Sequence, residues 1–317
     1  MASGPGGWPG KRAAATGSSP VLLPAPAAGR TAPKGADFLV VGAGIAGAVA
    51  ARALAEAGLR VTVIARGTGA SHAPVAVVNP VRAKRGRPVP EAGAALEAAA
   101  RLYRRYVPLR FGLTHRVPPE ARPGWRARLA ESGLPHRWRG DALLLPTAFW
   151  LRPRRLLAGL LAGLPRVRAR VVFLEPGGVW LDDGRFLAGA VIWAGGAEGA
   201  GVLPGGRLTA GSLLLVAEPG DGRIAGVFHA GGAVGGSYRP LVRFSEPTPT
   251  AGELAELRAA ARALMGRPPT VLGAWSAVRY RRPAPLEEIP GGFLFSGFGS
   301  TGFLMAPLWA RRLLARI

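Results

Sequence analysis

The sequence predicts an α/β fold in which a parallel-sheet domain is interleaved with a second, mostly β domain. Three observations carry this. The apolar run Asp37-Phe38-Leu39-Val40-Val41 opens into Gly42-Ala43-Gly44-Ile45-Ala46-Gly47, then a helical pattern, then a second run, Val61-Thr62-Val63-Ile64. The same strand, glycine turn and helix grammar closes the chain, with glycines at 297, 299 and 302. Between the two, short β-branched runs outnumber helical patterns, as expected when a β domain is inserted into an α/β one.

The first unit, about 36–66, is a complete βαβ. Apolar positions recur at helical spacing through Ile45, Val49, Ala53, Leu54 and Ala57, and Gly58 ends the helix. That frame makes G-x-G-x-x-G a Rossmann-like dinucleotide site. Gly42 permits the tight turn, Gly44 lets backbone approach a pyrophosphate, and Gly47 lets helix and strand pack closely. The helix N-terminus then faces the phosphates. The acid that closes the second strand and grips a ribose is missing: Ala65 stands there, followed by Arg66. An arginine beside a lost acid fits a 2′-phosphate, hence NADP; the alternative is an FAD site with Arg66 near the adenosine.

The remaining elements follow in order. Residues 1–35 are Gly, Pro, Ala and Ser without periodicity, which reads as a disordered tail or an over-extended start, not as an export signal. A small-residue loop with Ala70-Ser71-His72 leads to Asn79-Pro80. Residues 81–140 carry 14 Arg/Lys against four Asp/Glu, with Tyr103, Tyr106, Phe111, Trp125 and Trp138 among them. Strands are expected at Ala142–Leu145 and Val171–Leu174, around an amphipathic helix near 153–164. A hairpin at 177–184, a buried strand at 190–197, strands at Ser212–Ala217 and Ala225–His229, and a helix at 250–265 complete the middle.

Composition narrows the chemistry. With no cysteine among 317 residues, disulfides, thiolate nucleophiles, iron–sulfur ligation and a cysteinyl flavin bond are excluded. His72, His115, His136 and His229 lie far apart, so no metal site is readable. No apolar run reaches the length of a membrane span, and a cytoplasmic setting is expected. The net charge of +23 comes mostly from arginine, since only Lys11, Lys34 and Lys84 are lysine. It fits compositional drift as well as a surface for polyanions.

Taken together, the first βαβ unit, Ala70-Ser71…Asn79-Pro80, Val191–Ala197 and Gly297–Pro307 resemble the D-amino-acid-oxidase-like family of FAD-dependent oxidoreductases, which includes glycine and sarcosine oxidases. Ala277–Pro283 and Ala306–Leu308 are also similar to the flavin half of the bifunctional tRNA methylaminomethyl-thiouridine biosynthesis proteins. The resemblance covers about 36–80 and 140–317 and implies FAD, held by Gly42, Gly44, Gly47, Ser71, Asn79, the backbone of the strand that carries Val172, Ala194, Gly195, Gly299, Ser300, Thr301 and Gly302; Arg66 joins this set from its place beside the missing acid. It places Arg279 on a substrate carboxylate and Tyr238 at the position of an active-site tyrosine, the two candidate catalytic residues. His72 lies near a position where some relatives attach the flavin, although a solvated histidine is the plainer reading. The chain departs from the family at Ala65, at Ala277 in place of a usual glycine, and in its short substrate domain.

The resulting expectation is an FAD domain from 36–80, 141–210 and 270–317, with a substrate domain from 81–140 and 211–269. The function expected is oxidation of an amine or amino-acid C–N bond, with oxygen as acceptor. Two rivals remain: FAD-dependent processing of a modified wobble uridine in tRNA, using the basic 81–140 segment, and a degenerate flavin-binding protein without activity. Salt-sensitive RNA retention favours the first rival, and a bound flavin that no amine reduces favours the second.

Overall fold

The computed structural model describes residues 37–82, 86–203, 205–224 and 226–317. The expected tail at 1–35, and Ala225 at the start of one expected strand, lie outside them. The βαβ unit forms as expected: β1 (Phe38–Val41), α1 (Ile45–Glu56) and β2 (Val61–Ile64). β1 is apolar throughout because both of its faces are covered. Phe38 and Val40 face a helix layer, while Leu39 and Val41 face a small antiparallel sheet. β1 pairs in parallel with β2 on one side and with Ala190–Trp193 on the other. Gly292–Phe295 extends this sheet in parallel beside Ala190–Trp193, and six strands complete it.

Small residues set the helix layer. α1 buries Gly47, Ala48, Ala50 and Ala51 along with Ile45, Val49 and Leu54, so its axis can lie close to the sheet. It packs on the closing helix, Gly302–Leu314, which in turn packs on Ala92–Tyr103. The fully buried Tyr103 secures that contact by donating its hydroxyl to Phe303 O at 2.9 Å. Arg52 of α1 donates to Leu160 O and Ala162 O, satisfying carbonyls at the end of the helix Pro153–Leu160.

The second sheet has ten strands. Near one end of it Arg207–Val216 pairs with Ala233–Gly235 and Arg239–Leu241 along one side and with the long strand Val271–Arg281 along the other. The helix Ala251–Met265 covers one face, packing Leu257 and Ala261 on Leu214, Val216 and Val234. The opposite face, by the period of two along each strand, carries Gly211, Ala277 and Arg279.

The chain crosses between sheets more often than the sequence suggests. Ala142–Leu151, within 141–210, joins the ten-stranded sheet, as do Ala76–Val78 and Val271–Arg281. The helix Ala92–Tyr103, within 81–140, belongs to the layer over the six-stranded sheet. Long-range pairing decides these placements, and local pattern does not carry it. Val271–Arg281 runs out of the large sheet directly into the second glycine turn: Arg281 bridges Phe298, and Arg282 N donates to Gly297 O at 2.9 Å.

Candidate functional site

A cavity of about 620 Å³ opens at the C-terminal ends of β1, β2, Ala190–Trp193 and Gly292–Phe295. This is where parallel sheets of this kind hold ligands, because the strand ends and the helix N-termini converge there. Its walls come from 41–46, 64–72, 169–171, 193–199, 276–280 and 296–299, joined by Gly302 and by Phe244, Glu246 and Pro247.

At one side lies the first glycine turn. Gly42 has φ +105°, and a Cβ there would strike Ala194 O. A Cβ on Gly47 would strike Gly42 O, so helix and strand meet only because both residues are glycine. Gly44 is the α1 N-cap, and the first turn holds neither a local side-chain cap nor an acid. Ile45 N donates to Ser71 Oγ at 2.9 Å instead, which brings Ser71 to the helix end. Ala194 and Gly195 line the facing wall.

The second glycine turn, far away in sequence, lies beside the first. A Cβ on Gly302 would come 3.1 Å from Ile45 Cγ2, so the N-termini of α1 and the closing helix sit against each other. The two glycine turns, at opposite ends of the sequence, thus open onto one cavity. The closing helix also has no acid in its first turn and no side-chain cap bond. Two helix N-termini without an acid in their first turns give the cavity positive potential without a lysine, which fits the anionic pyrophosphate and the electron-rich edge of FAD.

Ala65 and Arg66 line the cavity at the end of β2, where an adenosine is expected. Arg66 Nη1 donates to Asp182 Oδ2 at 2.9 Å, so its charge is already paired. Asp182 lies below the usual carboxylate range because the Arg170 N–H and the Arg66 guanidinium both favour its ionised form. The acid that reaches this end is Glu198, from the turn after Ala190–Trp193. It is exposed toward the cavity, and its Oε2 is 3.9 Å from a Cβ built on Gly67.

At the opposite wall stands Arg279. Its Nη2 donates to Ser237 O at 2.7 Å, and its guanidinium lies over the Tyr238 ring, 4.2 Å from the centroid. A Cβ on Gly211 would strike Arg279 Nη2, so that glycine is what gives the side chain room. No carboxylate among the described residues pairs with Arg279, which leaves donors on a cavity-lining cation for an anionic ligand.

Several expected contacts fall elsewhere. The Val172 side chain is half exposed and outside the cavity wall, and it is the buried neighbour Val171 that brings this strand to the cavity. Asn79 uses its side chain on its own turn, donating to Val81 O and accepting from Val81 N. Gly299 and Gly302 line the cavity, but Ser300 and Thr301 do not, and Thr301 Oγ1 donates to Phe298 O. Tyr238 is half exposed and reaches the cavity only through Arg279. His72 lines it, and burial pulls its pKa below the ordinary value. In 81–140, Tyr103 and Trp125 are buried in the core, and Trp138 and Phe111 lie under Arg126 and Arg104. Glu198, Arg170 and the Phe244–Pro247 wall carry no sequence signal, since each reaches the site only through the fold.

Comparison with known proteins agrees with this geometry. The FAD dependent oxidoreductase (DAO) family matches residues 37–316. The tRNA 5-methylaminomethyl-2-thiouridine biosynthesis bifunctional protein MnmC of Maricaulis maris is 31% identical over 300 residues, which is 88% of this chain and 51% of that protein. The chain thus spans about half the length of this curated relative. Glycine oxidase from Geobacillus kaustophilus superposes with a TM-score of 0.73 at 22% identity, covering 88% of this chain and 93% of that one. L-proline dehydrogenase from P. horikoshii gives 0.71 at 18% identity, covering 88% and 92%. With a dinucleotide cradle at two converging glycine turns and a family match over nearly all of its described length, the chain belongs to the FAD-dependent oxidoreductases of the DAO family.

Proposed function

We propose that this enzyme oxidises the C–N bond of a small amine that carries a carboxylate, with oxygen as electron acceptor. The observation that supports this reading is Arg279, a cavity-lining guanidinium held by a neutral carbonyl and an aromatic face and by no carboxylate. Bound FAD supplies the hydride acceptor for the carbon next to nitrogen. Arg279 pairs the substrate carboxylate and so fixes that carbon; in such chemistry positioning carries much of the rate. The positive potential of the two helix ends favours the neutral amine over the ammonium form, and only the neutral form has the lone pair the reaction needs. Losing a buried charge-assisted pair costs about 2–5 kcal/mol, so Arg279→Ala is expected to weaken substrate binding by about 30-fold or more. Anaerobic flavin reduction by a panel of small amino acids, wild type beside variant, tests this. Equal reduction by both proteins removes Arg279 from the site.

A second reading follows from the match to half of a tRNA-modifying protein together with the +23 charge: the amine is a substituent on a nucleoside in RNA. The burial of Tyr103 and Trp125 leaves fewer aromatic faces for unpaired bases than the sequence promised. RNA that co-purifies, is released by salt, and reduces the flavin would favour it over the small amino acid.

A further inference from the structure

Glu253 is the one acidic side chain that the fold buries among the described residues, and helix capping does not account for its burial. At the start of Ala251–Met265 it completes a capping box: Thr250 N donates to Glu253 Oε2 at 2.9 Å, and Glu253 N donates to Thr250 Oγ1 at 3.2 Å. Such a box needs only one carboxylate oxygen and forms equally well at the surface, where the acid stays hydrated. Here the other oxygen, Oε1, accepts from Ser237 Oγ at 2.8 Å and lies 3.7 Å from Arg239 Nε. Ser212 Oγ adds a longer contact to Oε2 at 3.4 Å. Burying a carboxylate is costly unless each lone pair finds a donor, and these groups supply the donors.

The residues Glu253 holds are not arbitrary. Ser237 and Arg239 flank Tyr238, so a single carboxylate bonds the chain on one side of the ring that Arg279 covers and faces a guanidinium at ion-pair distance on the other. The segment joins Ala233–Gly235 to Arg239–Leu241. Ser237 is its junction: its hydroxyl accepts from Ser212 N at 2.9 Å and donates to Glu253, while its carbonyl accepts from Arg279 Nη2. The carboxylate therefore acts on Arg279 through a neutral carbonyl. Direct contact would have neutralised the guanidinium; one residue of separation fixes its direction and leaves its charge for a ligand.

We propose that Glu253 is a positioning residue for the substrate site: through Ser237 it sets the place of Arg279, and with it the selection of carboxylate-bearing amines. This rests on the reading of Arg279 given above. A guanidinium on a long flexible stem binds a carboxylate in bidentate fashion only while its plane is held, and a displacement on the order of 1 Å is enough to cost a large part of that affinity.

The test uses FAD-loaded wild type, Ser237→Ala, Glu253→Gln and Arg279→Ala, and each of the first two substitutions combined with Arg279→Ala. Two measurements are made: acetate affinity from the perturbed flavin absorbance, and anaerobic flavin reduction by glycine, sarcosine and L-proline. Ser237→Ala leaves the capping box intact, so it decides the matter should Glu253→Gln fold poorly. Ser237→Ala and Glu253→Gln are each expected to weaken acetate and substrate binding by about tenfold, with flavin content near wild type. In the Arg279→Ala background neither should cost anything more, because their effect passes through that side chain. Additive losses, or wild-type affinity in Ser237→Ala while Arg279→Ala is impaired, overturn the inference. If Arg279→Ala itself binds acetate and substrate normally, it is the carboxylate reading that fails.

Discussion

At the level of single residues, glycine was the most legible signal, because its reasons are steric and local. Gly42 and Gly47 are required by backbone oxygens that a Cβ would strike. Gly44 is different: a Cβ there meets only Ser71 Oγ, at 3.1 Å, on the side where the cavity begins. Gly44→Val should therefore fold and yet lose FAD, which comparing flavin absorbance with the thermal midpoint of the apoprotein would show; retained FAD would misplace the phosphate site. The ribose end was not legible. Ala65 told only that the usual acid is absent, while Glu198 reaches the same place from another strand. An acid there accepts from ribose hydroxyls, so Glu198→Gln is expected to weaken FAD binding by about tenfold, in line with about 1.5 kcal/mol for a hydrogen bond to a charged group. Fluorescence titration of apoprotein with FAD measures it. Arg279 was identified by resemblance alone, since nothing local separates it from the other arginines.

Among the elements, strands with continuous apolar runs were readable and those with alternating charge were not. Arg110–Arg116 reads as a basic insert, yet it is a strand of the large sheet, placing His115 opposite Arg223 in parallel register. Both side chains are buried, and burial lowers Arg223 to about 10 and His115 well below its ordinary value. The sign follows from proton counting. Below pH ~6.5 the unfolded chain binds a proton at this histidine that the folded chain does not, so stability falls as pH drops from about 7 toward 5. His72, also lowered, acts in the same direction. The carboxylates held low by arginine partners, such as Asp182, lose their contribution only at more acidic pH, as they protonate. Denaturation midpoints measured at steps between pH 7.5 and 5.5 should thus decline, and His115→Leu should flatten much of that decline. An unchanged slope in the variant would show that this histidine takes up its proton alike in the folded and the unfolded chain.

For the whole molecule, the class of fold was legible and the traffic of the chain between sheets was not. Two βαβ-like ends and a β-rich middle specify an α/β protein with an insertion, but the pairing of Val271–Arg281 with Arg207–Val216 depends on segments far apart in sequence. That strand has a mechanical consequence. It carries Arg279 on one face and is bonded at its end to the second glycine turn through Arg281, Phe298 and the Arg282–Gly297 hydrogen bond. It serves as a ruler laid across the two sheets: the distance from Arg279, the proposed anion clamp, to the second glycine turn is counted in residues and is not left to the angle between domains. One extra residue between Arg279 and Arg281 would turn Arg279 to the far side of the strand, toward the helix Ala251–Met265, or else shift the turn. A pair of extra residues would restore the side but move the clamp by about 6.6 Å. Insertions of either length should leave FAD bound at the first glycine turn while abolishing its reduction by amines, whereas the same insertions in the exposed turn at 182–184 should cost little. Under the role proposed for Arg279, the stride of a single β-strand sets how long a substrate the enzyme accepts.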